Sequence, residues 1–117
     1  MVRNSMEISC TKTGKAGIVT IIGQLWQKED LDAFENAIDM LIQEKILCIV
    51  INMDRLSFIN SAGLGLIVRN HKKLNNAKGE MILFNPHSSV LEVIEISGFD
   101  LFMTVAKSKD ELDKIIN

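Results

Sequence analysis

The sequence predicts a single α/β domain, residues 1–117, built on a mixed sheet of about five strands with about four helices. Apolar stretches with strand periodicity alternate with stretches of helical periodicity, and only a glycine-containing turn separates the first two strands. The chain also lacks a low-complexity or proline-rich linker. Strands that alternate with helices pair in parallel, whereas strands joined by a tight turn pair antiparallel, so the expected order is β-β-α-β-α-β-α-β-α.

The first part of the chain predicts a hairpin. Met6, Ile8 and Cys10 alternate with polar residues, which is the pattern of a half-buried strand. Glycines within 14–17 mark a turn, and Ile18–Ile22 continues as a second strand.

A helix and a buried strand are expected next. Asp30 is a suitable N-cap because its carboxylate can accept from the free N–H groups of a first turn. The apolar residues behind it recur at helical spacing: Leu31, Phe34, Ile38, Leu41 and Ile42. Leu47–Met53 is almost continuously apolar, which is typical of a strand covered on both faces, and a polar turn at Asp54-Arg55 ends it.

The second half repeats the alternation of helix and strand. The expected elements are a helix opened by Ser61-Ala62-Gly63 with Leu64, Ile67, Val68 and Leu74 on its buried side, a strand at Met81–Phe84, a helix capped by Ser88 or Ser89, a strand at Leu101–Val105, and a helix opened by a capping box of Ser108 and Glu111.

Composition argues against several classes of function. Charged residues make up 24% of the chain and the net charge is −2, which gives no electrostatic basis for binding nucleic acid or an anionic membrane. Met1–Cys10 lacks the apolar run of a signal peptide, and the longest apolar runs are too short to cross a bilayer. We therefore expect a cytoplasmic protein without membrane insertion, with Cys10 and Cys48 as buried thiols rather than a disulfide.

The sequence shows no pattern of a catalytic, metal or cofactor site. His71 and His87 are isolated from other metal-ligating residues, so no metal is expected. Gly63 and Gly65 lack the lysine of a phosphate-binding loop, so no nucleotide cofactor is expected. An enzyme would need a nucleophile beside a base, and the chain brings no such pair together, which leaves binding as the expected activity.

The informative segment is Asn52–Gly65, which joins the end of a central strand to the start of a helix. Ligands of open α/β sheets bind at the carboxyl ends of the strands. A serine at a helix start can cap the helix or carry a phosphate that the helix N-terminus accommodates. From spacing alone, Ser61 is expected to be the cap.

This segment resembles the motif of bacterial anti-sigma factor antagonists, which are STAS domain proteins. Their motif leads from Leu-Ser through an apolar pair to Asp-Ser-Ser/Thr-Gly-Leu-Gly, matched here by Leu56-Ser57 and by Ser61 to Gly63-Leu64-Gly65. The element order and the spacing to Glu95-Ile96-Ser97-Gly98-Phe99 also fit the family.

The resemblance implies a partner switch. The unmodified protein would bind an anti-sigma factor that is also a serine kinase, phosphorylation at the position of Ser61 would block that binding, and a phosphatase could reverse it. The expected partner-binding residues are Asn60, Ser61, Ala62, Gly63, Leu64 and Trp26. For Trp26 we favour a lid over the core against an exposed anchor, because large aromatic side chains are mostly buried. Ser57 is expected to bond to nearby backbone in a turn rather than to be a second phosphorylation site.

Two departures from the family motif leave an alternative open. Asn60 replaces the acidic residue before the serine, and Gly23-Gln24-Leu25-Trp26 replaces a Gly-Glu-Leu/Ile-Asp segment. The departures put the usual kinase partner in question, and Asn60 favours a second hypothesis, a STAS scaffold without a phosphorylation switch or a cytoplasmic part of a transporter.

The Asn60 departure predicts slow phosphorylation of this chain. Phosphoryl transfer depends on positioning and electrostatics, and an amide pairs with a cation more weakly than a carboxylate does. We expect the cognate kinase to phosphorylate Asn60→Asp faster than the wild type in an initial-rate assay with radiolabelled ATP. Equal rates would assign Asn60 another role, such as partner selection.

Overall fold

The computed structural model describes residues 6–116. Over this range the chain forms six strands, four α-helices and one short 3₁₀ helix. Their bounds are β1 (Glu7–Thr13), β2 (Ala16–Leu25), α1 (Lys28–Gln43), β3 (Cys48–Asn52), β4 (Leu56–Ile59), α2 (Ser61–Asn76), β5 (Glu80–Phe84), α3 (Ser88–Ile96), the 3₁₀ helix (Phe99–Leu101), β6 (Thr104–Ala106) and α4 (Lys109–Ile116). The α/β class, the mixed sheet and the four helices are confirmed, and the sheet contains one strand more than predicted.

The sheet has the order β1-β2-β3-β5-β6, with β4 attached to the far end of β2. β1 and β2 form the predicted antiparallel hairpin. The other pairs are parallel, so the carboxyl ends of β2, β3 and β5 lie at the same edge. β2 is long enough to pair with β3 through Ala16–Thr20 and with β4 through Gly23–Leu25.

β4 was missed by the sequence analysis. Only four residues long, it buries Leu56 and Ile59 and exposes Ser57 and Phe58, which is too short a pattern for periodicity to identify. The strand exists because it pairs with the end of β2, where the register shifts after Gly23. Gly23 has φ 107°, a backbone conformation that favours glycine.

Helices cover both faces of the sheet, which explains the continuous apolar run of β3. Ile49 and Ile51 contribute to the larger core, shared with α1, α2 and α3, whereas Val50 contributes to a smaller core that includes Leu112 of α4. Consecutive strand residues point to opposite faces of the sheet, so these three residues pack alternately into the two cores.

The predicted caps of α1 and α3 are wrong, and the capping box of α4 is confirmed. Asp30 is the buried third residue of α1, since the helix begins two residues earlier after Gln27. The N-cap of α3 is His87, with the Ser88 side chain inside the first turn. At α4, Ser108 Oγ accepts from the N–H of Glu111 at 3.2 Å, and the Glu111 carboxylate accepts from a backbone N–H of the preceding loop.

The two cysteines are free, as predicted, but their predicted burial is wrong for Cys10. This residue is exposed on β1 and Cys48 is half-buried. β1 is an outer strand of the sheet, and the Cys10 position on it is exposed. The alternation of apolar and polar residues predicts a strand, but it does not show whether another element covers that strand.

Candidate functional site

Three segments meet at one edge of the sheet: the end of β2, the end of β4 and the start of α2. Leu25 pairs with Ile59, so both strands end side by side. Ser57 Oγ donates to the carbonyl of Gly23 at 3.0 Å. Ser57 therefore bonds to backbone as predicted, but across the sheet from within a strand rather than in a local turn.

The N-cap of α2 is Asn60, one residue before the predicted cap Ser61. Asn60 has an extended backbone, and its Oδ1 accepts from the N–H of Gly63 at 2.9 Å. Its carbonyl accepts from the N–H of Leu64 at 3.0 Å. The prediction that Ser61 caps the helix is wrong because asparagine is an equally good cap and already occupies the extended position.

Ser61 is consequently the first residue of α2, and its side chain is exposed. Within residues 6–116 its hydroxyl makes no hydrogen bond. The N–H groups of Ser61 and Ala62 belong to the first turn and have no intrahelical acceptor. A phosphate on Ser61 would therefore lie beside free donors at the positive end of the helix dipole.

The two glycines of the motif differ in their surroundings. A Cβ on Gly63 would lie 2.7 Å from the carbonyl oxygen of Leu25 and 2.7 Å from a side-chain carbon of Ile59, so only glycine fits there. A Cβ on Gly65 would meet nothing within 4 Å. The interior of the protein thus requires Gly63 and places no demand on Gly65.

The predicted partner residues fall into two groups. Ser61 and Ala62 are exposed and Asn60 is half-buried, whereas Gly63 and Leu64 are buried. The expectation that Leu64 and Ile67 lie beneath the surface is confirmed, with exposed fractions of 8% and 1%. Gly63 and Leu64 therefore shape this surface from below.

Trp26 is exposed, contrary to the favoured interpretation of a lid over the core. It is 42% exposed and packs edge-on against Phe58, which is 45% exposed, with ring centroids 6.3 Å apart. Phe58 was missed because its outward direction depends on β4. We call the exposed residues of this junction, together with half-buried Asn60, the Ser61 surface: Trp26, Phe58, Asn60, Ser61, Ala62 and Gly65.

A groove of about 440 Å³ between α1 and α2 borders the Ser61 surface at Ala62 and Gly65. The charged residues along it are paired, with Lys28 Nζ 2.8 Å from Asp32 and Arg69 3.3 Å from Glu35. Both pairs are accessible to solvent, with Glu35 half-buried, and contribute little to stability. In each pair the positive and negative charges cancel, so the groove adds no net charge beside the Ser61 surface, whose six residues are uncharged.

Comparison with known proteins identifies the family. Residues 7–112 match the STAS domain model. The chain belongs to the STAS domain family. An anti-sigma F factor antagonist of Lysinibacillus sphaericus is 29% identical over 75 residues, which cover 64% of each chain. BtrV of Bordetella bronchiseptica, a candidate anti-sigma factor antagonist, is 39% identical over 62 residues, 53% of each chain. This STAS domain thus spans between about half and two thirds of the length of these curated relatives.

Solved structures share the fold of this STAS domain. The anti-sigma factor antagonist SpoIIAA in its unphosphorylated form has a TM-score of 0.77 at 24% identity, covering 93% of this chain and 96% of SpoIIAA. Bacillus SpoIIAA in its phosphorylated form has a TM-score of 0.70 at 24% identity, covering 95% and 99%. An anti-sigma factor antagonist from Mycobacterium paratuberculosis has a TM-score of 0.85 at 17% identity, covering 99% and 98%.

The remaining reactive groups of the STAS domain lie apart from the Ser61 surface. Desolvation raises the pKa of the Cys10 and Cys48 thiols, with the nearby carboxylates of Glu44 and Glu80 acting in the same direction. Burial lowers the pKa of His71, which packs against Phe102. Among residues 6–116 no group of three His, Cys, Asp or Glu could hold a metal ion, and no helix is long and apolar enough to cross a membrane.

The difference between the two motif glycines gives a matched pair of variants. Gly63→Ala should lower the free energy of unfolding by about 1–3 kcal/mol, because the added methyl meets the Leu25 carbonyl. Gly65→Ala should raise it by up to about 1 kcal/mol, because alanine is the better helix former and the space is open. Urea titrations of both variants would measure this, and equal effects would contradict the close approach at Gly63.

Proposed function

We propose that this STAS domain is an anti-sigma factor antagonist. In its unmodified form it binds, through the Ser61 surface, an anti-sigma factor that has serine kinase activity. Phosphorylation of Ser61 prevents that binding, and a phosphatase restores it. One observation carries the proposal: the Ser61 side chain is exposed at the start of α2, and its hydroxyl makes no hydrogen bond within residues 6–116, because Asn60 caps the helix instead.

The charge of a phosphate explains how such a modification would block binding. A phosphoserine carries a charge of about −1.5 to −2 at neutral pH. On the Ser61 surface this charge would appear among uncharged neighbours, where a docked partner would have to desolvate it. The helix N-terminus stabilises the same charge, so the fold is preserved while the interface is lost.

Gly65 supports the assignment of the binding surface. A glycine inside a helix costs about 0.8–1.0 kcal/mol relative to alanine, and nothing in the interior requires one here. A glycine at position 65 would let a partner approach the backbone of α2 closely, because no side chain stands in the way. The small side chains of Ala62 and Ser61 leave the same approach open to the active site of a kinase.

The relatives support the same proposal. Aligned proteins are named as antagonists of anti-sigma factors, and the SpoIIAA fold has been solved with and without phosphorylation. Because phosphorylation from ATP takes place in the cytoplasm, we assign the exchange of partners to that compartment.

A second candidate is a STAS scaffold, alone or as a cytoplasmic part of a transporter, that is never phosphorylated. Asn60 favours it, because the residue before Ser61 offers no carboxylate to orient the hydroxyl or a kinase-bound metal. The intact mass of the protein purified from its native cells would decide: a fraction carrying one phosphate on Ser61 supports the switch, and its absence under all growth conditions supports the scaffold.

The switch predicts that Ser61→Asp weakens partner binding without unfolding the protein. A buried, uncompensated charge in the interface should cost about 1–3 kcal/mol or more of binding free energy. Affinity would be measured with the protein captured by a wild-type pull-down from native lysate. Ser61→Ala should bind as the wild type does.

Ser88→Asp provides the matched control, since Ser88 is also an exposed first residue of a helix, α3, but lies outside the Ser61 surface. It should leave the affinity unchanged. Equal affinities of Ser61→Asp and the wild type would contradict the switch, and an equal loss in Ser88→Asp would show that the effect is not specific to Ser61.

Trp26 is predicted to be a binding anchor. Trp26→Ala should reduce the binding free energy by about 2 kcal/mol or more, because exposed tryptophan at an interface is often a dominant contact. Phe102→Ala removes another exposed aromatic side chain, one that packs against His71 instead, and should leave binding unchanged. Isothermal titration calorimetry would compare the two variants, and wild-type affinity in Trp26→Ala would exclude this role.

A further inference from the structure

We propose that Asn60 is a positioning residue that holds Trp26 in the Ser61 surface through a hydrogen bond that a carboxylate cannot make. The effect on partner binding rests on the proposed function, whereas the effect on Trp26 itself does not.

Both ends of the Asn60 amide are engaged. Its Oδ1 accepts from the N–H of Gly63 at 2.9 Å, and its Nδ2 donates to the carbonyl of Trp26 at 3.3 Å. We call this pair of bonds the amide bridge. One bond needs an acceptor and the other a donor, so the amide orientation is fixed by its two partners.

An aspartate at this position could form only half of the amide bridge. It would still cap α2, because aspartate is as good an N-cap as asparagine. Its second oxygen, however, would face the carbonyl oxygen of Trp26, and two acceptors without a hydrogen between them repel. Serine would also keep the cap, but its short side chain provides no second group to reach Trp26.

Trp26 is 42% exposed at the junction between a strand and a helix. It lies between the end of β2 at Leu25 and the start of α1, whose N-cap Gln27 makes no side-chain capping hydrogen bond. Its exposed ring packs edge-on against Phe58. Asn60 bonds to the backbone carbonyl of this residue. The approach of Gly63 to the Leu25 carbonyl brings the start of α2 close enough for Asn60 to reach it.

The amide bridge connects the two places where the sequence departs from the family motif. Asn60 stands in place of one acidic residue, and the segment ending in Trp26 lacks the two acidic residues of the other. Trp26 and Asn60 are hydrogen-bonded to each other and both are uncharged. They therefore suit a partner whose contacting surface is apolar rather than basic.

Trp26 is the only tryptophan and the chain has no tyrosine, so intrinsic fluorescence reports on this position alone. We would compare Asn60→Ser and Asn60→Asp with the wild type, in the absence of a partner. Both variants should show a red-shifted emission maximum and stronger quenching by acrylamide. Asn75→Ser, at the other end of α2, removes an amide of the same size and should match the wild type.

The outcomes separate positioning from capping. Both Asn60 variants retain a cap, so their urea midpoints should stay near that of the wild type while Trp26 becomes more accessible. Emission and quenching identical to the wild type in both would overturn the proposal. Asn60→Ala, which loses cap and bridge together, should lower the urea midpoint as well.

A double-mutant cycle tests the consequence for binding. Asn60→Ser should lower partner affinity in the wild-type background and have no further effect in a Trp26→Ala background. Additive losses would show that Asn60 contacts the partner by itself. The fluorescence result stands without a partner, so failure of the partner switch and failure of the amide bridge are distinguishable.

Discussion

The close approach of α2 to the end of β2, at Gly63, is the constraint on which the rest of this site depends. There is no room for a Cβ between Gly63 and the Leu25 carbonyl, so the start of the helix lies directly against the ends of two paired strands. With the helix start in this position, Leu64 and Ile67 are buried and Ser61 is exposed. It also brings Asn60 within reach of Trp26.

In the proposed switch, capping and modification fall on two adjacent residues. If Ser61 were the cap, its hydroxyl would be engaged by backbone N–H groups, and phosphorylation would remove an interaction that stabilises the helix. With Asn60 as the cap, a change at Ser61 leaves the helix terminus intact. In the proposed switch, a partner would then be released without unfolding of the domain, which is the property that a reversible switch requires.

Charge is distributed so that the region around Ser61 stays neutral. The acidic side of α1 pairs with basic residues of α2 through Glu35 with Arg69 and Asp39 with Lys73. The Ser61 surface beside them offers aromatic rings, an amide and small side chains. A single phosphate on Ser61 would therefore be the only charge among the residues of the Ser61 surface.

The sequence by itself determined the elements whose periodicity is long enough to measure, together with the family motif. It predicted the α/β class, the hairpin, the buried β3, the capping box at Ser108 and the place of Ser61 at the start of a helix. It could not determine features that depend on distant partners. β4 exists only through its pairing with β2, and the exposure of Phe58 follows from β4. The exposure of Trp26 and its bond to Asn60 join residues 34 positions apart. Local spacing also favoured Ser61 over Asn60 as the cap, because both residue types cap helices well and only the backbone conformation, set by the end of β4, decides between them.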